Sequence, residues 1–320
     1  MAWTENPNLD TAAVTSPTTA AAGFHHTLDG YAPTPVRELA DGTLVKDESG
    51  RLGLPAFKIL GASWAVERAL AGAPATTTLV AASAGNHGRA VAHEAARRGL
   101  ECRVFLPARA LEARREAIAG EGAAVEVVDG SYEECVALAR AAGERGDTLE
   151  IADVGDSGPA RDVIDGYATL FDEAAHQADF DVLVVPIGVG SLGAAAARFG
   201  ARAGIPVVGA EPEAAACLTA SLAAGEPTAV PTPGTTMAGL DCAEVSAAAW
   251  PDLRAGVSGT VTVSDHEAAD AQRELEAAGM YIGESGAAPL AALRQGGLGP
   301  DGARVLLVAT EGRTGAPHPG

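Results

Sequence analysis

From residue 43 onward the chain alternates short apolar runs with alanine-rich stretches of helical spacing, and this alternation leaves few folds open. The runs at 77–82, 102–106, 124–128, 149–152, 182–187, 206–210, 260–263 and 304–309 are strand-length, rich in Val, Ile or Leu, and bounded by Gly, Pro or Asp. Between them, 88–98, 110–119, 132–142, 163–176 and 265–278 place apolar residues at the period of a helix. Parallel neighbours need a crossover, so strand, helix and strand in repetition build parallel sheets with helices on both faces. The expected class is α/β, with two open, mostly parallel sheets. The units at 78–152 are expected to form a small α/β domain. Residues 1–77 and 153–320 are expected to form a large, discontinuous one. Its first 30 residues, Thr/Ala-rich and without period, read as an extended or partly disordered lead-in.

Charge and composition narrow the function. The chain of 320 residues carries 42 acidic against 22 basic side chains, a net charge of −20, and such a surface repels phosphate backbones. No nucleic-acid partner is expected. No apolar run approaches the roughly 18 residues of a membrane span, and no basic residue precedes Arg37, so neither a membrane partner nor an export signal is expected. The four cysteines, Cys102, Cys135, Cys217 and Cys242, form no CxxC pair; they read as buried small side chains in a reducing cytoplasm. His87 and His93 lie six residues apart, off a common helix face, and there is no HExxH, so no metal site is expected. No GxSxG elbow or GxxxxGK[ST] loop is present either.

Of the basic residues, 20 are arginines and only two are lysines, Lys46 and Lys58. Codon drift replaces lysine wherever charge alone matters. A surviving lysine marks a place where only an amine serves, because guanidinium neither deprotonates readily nor forms a Schiff base. Lys58 lies between Phe57 and Ile59 at the head of a helix expected to run through Leu70; desolvation there favours the neutral, nucleophilic amine. The bland alternative is a snorkelling lysine on an amphipathic helix.

Two glycine-rich loops follow strands, where open parallel sheets bind ligands. Ser83, Ala84, Gly85, Asn86, His87 and Gly88 follow the run ending at Ala82; the bland reading of this loop is helix capping. Gly188, Val189, Gly190, Ser191, Leu192 and Gly193 follow the run ending at Ile187, and their glycines with the next helix's N-terminus suit a phosphate. This second loop matches GxGxxG, and Glu211 stands at the end of the next strand, where a dinucleotide-binding enzyme places its ribose-binding acid. A nicotinamide-dependent oxidoreductase is therefore the rival reading. It leaves Lys58 unexplained.

From about Tyr31 to Arg313 the chain resembles the fold type II pyridoxal-phosphate enzymes, the group of threonine dehydratase, serine racemase and the tryptophan synthase β chain. Within that group it is most similar to the diaminopropionate ammonia-lyases. The motifs are Lys46-Asp47-Glu48-Ser49, Ala56-Phe57-Lys58, Gly85-Asn86-His87-Gly88, Gly166-Tyr167-Ala168-Thr169, Gly188-Val189-Gly190-Ser191, Met237-Ala238-Gly239-Leu240, Glu284-Ser285-Gly286-Ala287 and Thr310-Glu311-Gly312. The resemblance implies pyridoxal 5′-phosphate as cofactor, an active site between a large and a small domain, and a homodimer. It makes Lys58 the Schiff-base lysine that also takes and returns the Cα proton. Asn86 would meet the cofactor's phenolic oxygen. Ser83, Ala84, Gly85 and His87 would contact the substrate carboxylate, and the loop from Gly188 to Gly193 would hold the phosphate. Thr310 would meet the pyridine nitrogen and, as a neutral partner, leave it unprotonated, which suits β-elimination. An active-site aspartate of the family aligns with Asp153 or, if the alignment slips, with Asp156.

The chain departs from that family where its loop usually reads Asp-Gly-Asn-His: here Ala84 takes the place of the aspartate, and a methyl group transfers no proton. The expected reaction is α,β-elimination on a small β-substituted L-amino acid, giving a 2-oxo acid and ammonia, with Asp153 as an acid for the leaving group. A β-replacement synthase would use the same chemistry. A sensor that binds the cofactor without turnover is a third class.

Overall fold

The computed structural model describes residues 3–74, 77–300 and 302–313. Its strands are Trp3–Glu5 (β1), Val36–Glu38 (β2), Leu44–Asp47 (β3), Thr78–Ala82 (β4), Cys102–Pro107 (β5), Ala124–Val128 (β6), Thr148–Glu150 (β7), Val182–Pro186 (β8), Val207–Pro212 (β9), Val257–Val263 (β10) and Val305–Ala309 (β11). The helices are Ala20–His25 (α1), Lys58–Leu70 (α2), Asn86–Arg97 (α3), Glu112–Gly120 (α4), Tyr132–Gly143 (α5), Gly158–Gly166 (α6), Ala168–Gln177 (α7), Ser191–Ala203 (α8), Cys217–Ala224 (α9), Trp250–Gly256 (α10), Asp265–Ala277 (α11) and Glu284–Arg294 (α12). Among the described residues no helix is long and apolar enough to cross a membrane.

The chain divides into two compact units, 58–166 and the remainder, made of the segments on either side of it. The larger holds a seven-stranded sheet in the order β1-β10-β9-β8-β11-β3-β2, in which β10, β9, β8, β11 and β3 run parallel and the edge strands β1 and β2 antiparallel. Strands β8 and β11 are buried along their whole length, so they read as unbroken apolar runs, as central strands of a parallel sheet do. On one face Val184, Val208, Val261 and Leu307 meet Leu275 of α11 and Ala288, Leu290 and Ala291 of α12. On the other, α8 packs against β8, α7 and α10.

The smaller unit holds a wholly parallel four-stranded sheet in the order β6-β5-β4-β7. Val80 and Phe105 pack on Cys135, Ala139 and Ala142 of α5, and α5 begins in a full capping box between Ser131 and Glu134. The unit extends beyond 78–152 on both sides, because α2, ahead of β4, packs against α6, behind β7, and against α3. The α/β class expected from the alternation, with a mostly parallel sheet and a second small sheet, is what the fold contains.

Two expectations are corrected. The lead-in, expected to be extended or partly disordered, is anchored in the fold: its extended start, β1, pairs with β10, Trp3 opposite Val261. A side chain at Gly259 would place its Cβ 2.5 Å from the Trp3 ring, so glycine makes the room for this edge strand. The Asn6 side-chain amide then donates to the carbonyls of Arg254 and Val257 at 2.8 and 2.6 Å, and His25 of α1 is buried against the Thr169 hydroxyl at 2.7 Å. Helical spacing cannot register such anchors, which are single residues meeting distant chain. The helix expected over 163–176 is two helices, α6 and α7, with fully buried Tyr167 between them. Gly166 approaches the backbone of α2 so closely that a Cβ there would stand 2.6 Å from the Leu60 carbonyl oxygen.

Candidate active site

In the smaller unit, Lys58 is the first residue of α2, and Asp153 follows the carboxyl end of β7. Nζ of Lys58 donates to Oδ2 of Asp153 at 3.1 Å. Asp153 is nearly buried and Lys58 about a fifth exposed at its side chain (22%), so the amine sits in a polar recess and not in the wholly apolar setting its neighbours suggest. On the other side of Asp153, His87 Nδ1 is 3.8 Å from the same Oδ2. His87 Nε2 lies 2.8 Å from the carbonyl oxygen of Ile151. A carbonyl only accepts, so Nε2 carries the proton and the neutral ring turns the Nδ1 lone pair toward Asp153.

Electrostatics agree with that tautomer. Burial holds His87 below the usual imidazole range; the Asp153 charge works against this, and Lys58 adds to it. Burial also raises the cost of charging Asp153, yet His87, Lys58 and the Lys58 hydrogen bond together hold its carboxyl below the usual carboxylate range. The result is an ionised carboxylate facing one ammonium and one lone pair. Asp156 stands apart, exposed and paired with Arg161, so only Asp153 of the two alternatives meets Lys58.

The asparagine loop follows β4, the strand beside β7, so Asn86 and Asp153 leave neighbouring strands at the same carboxyl edge. Gly85 caps α3 and its amide donates to the Ser83 hydroxyl at 3.2 Å. At Gly88 a Cβ would lie 2.4 Å from the Ser83 carbonyl oxygen, so this glycine lets the loop fold onto its own helix. Ser83, Ala84, Gly85 and Asn86 are half-buried on the surface so formed, and His87 lies beneath.

In the larger unit the second glycine loop joins β8 to α8. Gly190 sits at φ 92° as the N-cap of α8, a conformation that glycine adopts without strain. A Cβ at Gly188 would lie 2.8 Å from the Gly239 carbonyl oxygen, and one at Gly193 would lie 2.4 Å from Ile187. The loop from Gly188 through Val189, Gly190, Ser191 and Leu192 to Gly193 is therefore a cradle that side chains would fill. The first turn of α8 directs N–H groups without intrahelical acceptors to its mouth. Thr310 immediately follows β11, which pairs directly with β8, and so lies on the same carboxyl edge as the cradle. Its hydroxyl donates to Oε2 of Glu311 at 2.5 Å, and its carbonyl accepts from Phe57 N–H at 3.2 Å. A cradle shaped for phosphate, with a hydroxyl on the adjoining strand, fits a phosphorylated pyridine cofactor.

Other singled-out residues serve the fold. Lys46 is wholly buried and donates to the Thr34 carbonyl and to Glu173, each at 2.7 Å; Arg51 joins Glu48 and Glu173 in the same cluster. Its survival as lysine is structural. Glu211 is corrected from a ribose acid: it is fully buried and accepts from the amides of Leu218 and Thr219 at 2.7 and 2.8 Å and from the Thr219 hydroxyl at 2.7 Å. It is spent on the start of α9. Reading the sequence alone missed His87 as a neighbour of Asp153, and it missed Glu311 altogether, although Glu311 stands within the Thr310-Glu311-Gly312 motif.

Residues 27–311 match the family model of pyridoxal-phosphate dependent enzymes. The chain is 32% identical over 295 residues to the diaminopropionate ammonia-lyase of Salmonella typhimurium, covering 78% of this chain and 73% of that protein. It is 29% identical over 354 residues to the enzyme of the same name from Escherichia coli, covering 93% and 89%. The crystal structure of the Escherichia coli diaminopropionate ammonia-lyase in complex with an aminoacrylate-PLP azomethine reaction intermediate superposes with a TM-score of 0.88 at 28% identity, covering 98% of this chain and 94% of that one. With Lys58, the glycine cradle and Thr310 placed as above, the chain belongs to the fold type II pyridoxal-phosphate-dependent enzymes and is an ammonia-lyase that works by α,β-elimination.

Proposed function

We propose that the protein acts on a small L-amino acid with an amine or hydroxyl leaving group at Cβ, 2,3-diaminopropionate first among them, and releases a 2-oxo acid and ammonia. The observation that carries this reading is the Lys58–Asp153 pair at 3.1 Å. Bound pyridoxal phosphate supplies the electron sink that makes a Cα–H acidic. Lys58 would be its covalent anchor and, once freed as the neutral amine, the base that takes the Cα proton; held between Lys58 and the Asp153 carboxylate, that same proton would be the one passed to the departing β-group. The Cα–H electron pair would become the Cα–Cβ double bond as the β-group leaves with its own bond pair, and one water would hydrolyse the released unsaturated amine.

Gly188, Val189, Gly190, Ser191, Leu192 and Gly193 hold the phosphate, Asn86 meets the phenolic oxygen, and Thr310 meets the ring nitrogen. Ser83, Ala84 and Gly85 line the place of the substrate carboxylate; His87, expected there too, is instead buried beneath the loop against Ile151 and Asp153. Ala84 offers no acid on that side, so the L-enantiomer is used and the D-enantiomer is not. We take the protein to be a homodimer and to be cytoplasmic, the latter in keeping with its mostly buried cysteines, none of them in a disulfide.

The test uses the purified protein loaded with pyridoxal phosphate. The wild type is expected to be yellow, to be bleached by borohydride with the adduct on the Lys58 peptide, and to turn over L-2,3-diaminopropionate. Lys58→Ala should fold and lose at least about 10³-fold in rate. Near-normal turnover in that variant, or an adduct on another residue, overturns the assignment.

A further inference from the structure

Asp153 has a second neighbour that the roles above leave idle. His87 is buried in the first turn of α3, and its Nδ1, shut off from water, meets no hydrogen-bond partner. A buried polar atom in that condition is uncommon and calls for a role. Nδ1 lies 3.8 Å from Oδ2 of Asp153, the same oxygen that accepts from Lys58 Nζ at 3.1 Å. That gap is too long for a hydrogen bond yet within the roughly 4 Å of an ion pair, so one proton on Nδ1 would close it. The bond from Nε2 to the Ile151 carbonyl at 2.8 Å ties the ring to the segment that carries Asp153 two residues on. The charges set against the ring are those of Asp153 and Lys58. On the elements packed around α3 other charges pair elsewhere: Glu67 of α2 with Arg98, Arg103 of β5 with Glu126, and Arg115 of α4 with Glu112, while β4 carries none.

Two cations against one carboxylate oxygen repel each other, and a buried carboxylate with no cation is costly. We propose that Lys58 and His87 take turns as the cation facing Asp153: when Lys58 gives up its ammonium charge, His87 takes a proton at Nδ1, and Asp153 stays ionised in both states. In that exchange an Nζ–H bond breaks and an Nδ1–H bond forms. Oδ2, which faces both nitrogens, carries the proton across and ends as it began. Burial and the Lys58 charge together keep His87 neutral at rest, and the second of these vanishes with the ammonium. His87 is thus a positioning residue that acts through Asp153, keeping that carboxylate charged and in place while Lys58 is bonded or serves as the neutral base. This rests on Lys58 as the covalent anchor, given under the proposed function.

The experiment reads the ring 15N resonances of His87 at about pH 7 in the full-length, histidine-labelled protein, identified by their loss in His87→Gln. In the wild type without cofactor, Nδ1 is expected in the unprotonated range. In Lys58→Met both ring nitrogens are expected in the protonated range, and in Lys58→Met with Asp153→Asn the ring should return to neutral. Loading the wild type with pyridoxal phosphate ties up the same amine without a substitution and should also add the second proton. A ring that stays neutral in Lys58→Met, or in the loaded wild type while borohydride places the adduct on Lys58, overturns the proposal and leaves the proposed function standing. So does a ring already doubly protonated in the cofactor-free wild type. A ring charged in Lys58→Met with or without the Asp153 carboxylate overturns it as well, because a histidine merely opened to water would behave so. An adduct on another residue removes the proposed function and the proposal with it.

Discussion

Glu211, one residue before the end of β9, and Glu311, two residues after the end of β11, both lie in the larger unit, and their neighbours give them different work. Glu211 accepts three hydrogen bonds at the start of α9, and burial pushes its carboxyl from an ordinary 4.5 up to about 7. A folded state that holds this proton more tightly than the unfolded chain gains stability that is complete below pH 4.5 and lost as pH rises through about 7. The full difference is up to about 3 kcal/mol. Glu211→Gln cannot titrate, so thermal melts from pH 4 to 8 should show the wild type losing stability relative to the variant as pH rises. The folded variant should also keep its yellow cofactor. Loss of colour without loss of fold would return Glu211 to ligand binding and reopen the dinucleotide reading.

At the scale of elements, the contact that sets the head of α2 is its close approach to α6. The Cβ that Gly166→Ala adds would lie 2.6 Å from the Leu60 carbonyl oxygen and 2.8 Å from the Gly61 Cα, and backbone cannot yield as a side-chain tip does. The expected cost is about 1–3 kcal/mol in urea unfolding, with a fall in kcat from a displaced Lys58, which precedes the contacted Leu60 and Gly61 in the first turn of α2. Gly120→Ala is the control: it ends α4, its Cβ would meet nothing within 4 Å, and it should be neutral or stabilising by up to about 1 kcal/mol. Equal effects from the two substitutions would show that the close approach is not what glycine serves at 166. The asparagine and phosphate loops obey the same rule. Each needs glycine where backbone meets backbone, which is why Gly-rich loops following strands were legible in the sequence although their partners were not.

For the molecule as a whole, the charge of −20 outweighs any local basic patch beyond a Debye length of about 10 Å in 0.1 M salt. The protein should pass unretained through heparin at that ionic strength and bind an anion exchanger. Retention on heparin would reveal a basic surface that net charge conceals. The alternation of strand and helix, the glycine loops and Lys58 were all readable because each is a local pattern: periodicity, backbone freedom and residue chemistry lie within a few consecutive positions. Four features were settled only in three dimensions. They are the burial of Lys46 among Glu173 and its neighbours, the choice of Asp153 over Asp156, the neutral His87 behind it, and the carboxylate that orders Thr310. Each depends on an acceptor or charge far along the chain or on which way one hydroxyl turns. The energy of a buried ion pair or hydrogen bond is set by distance and dielectric, and neither is written in the order of residues.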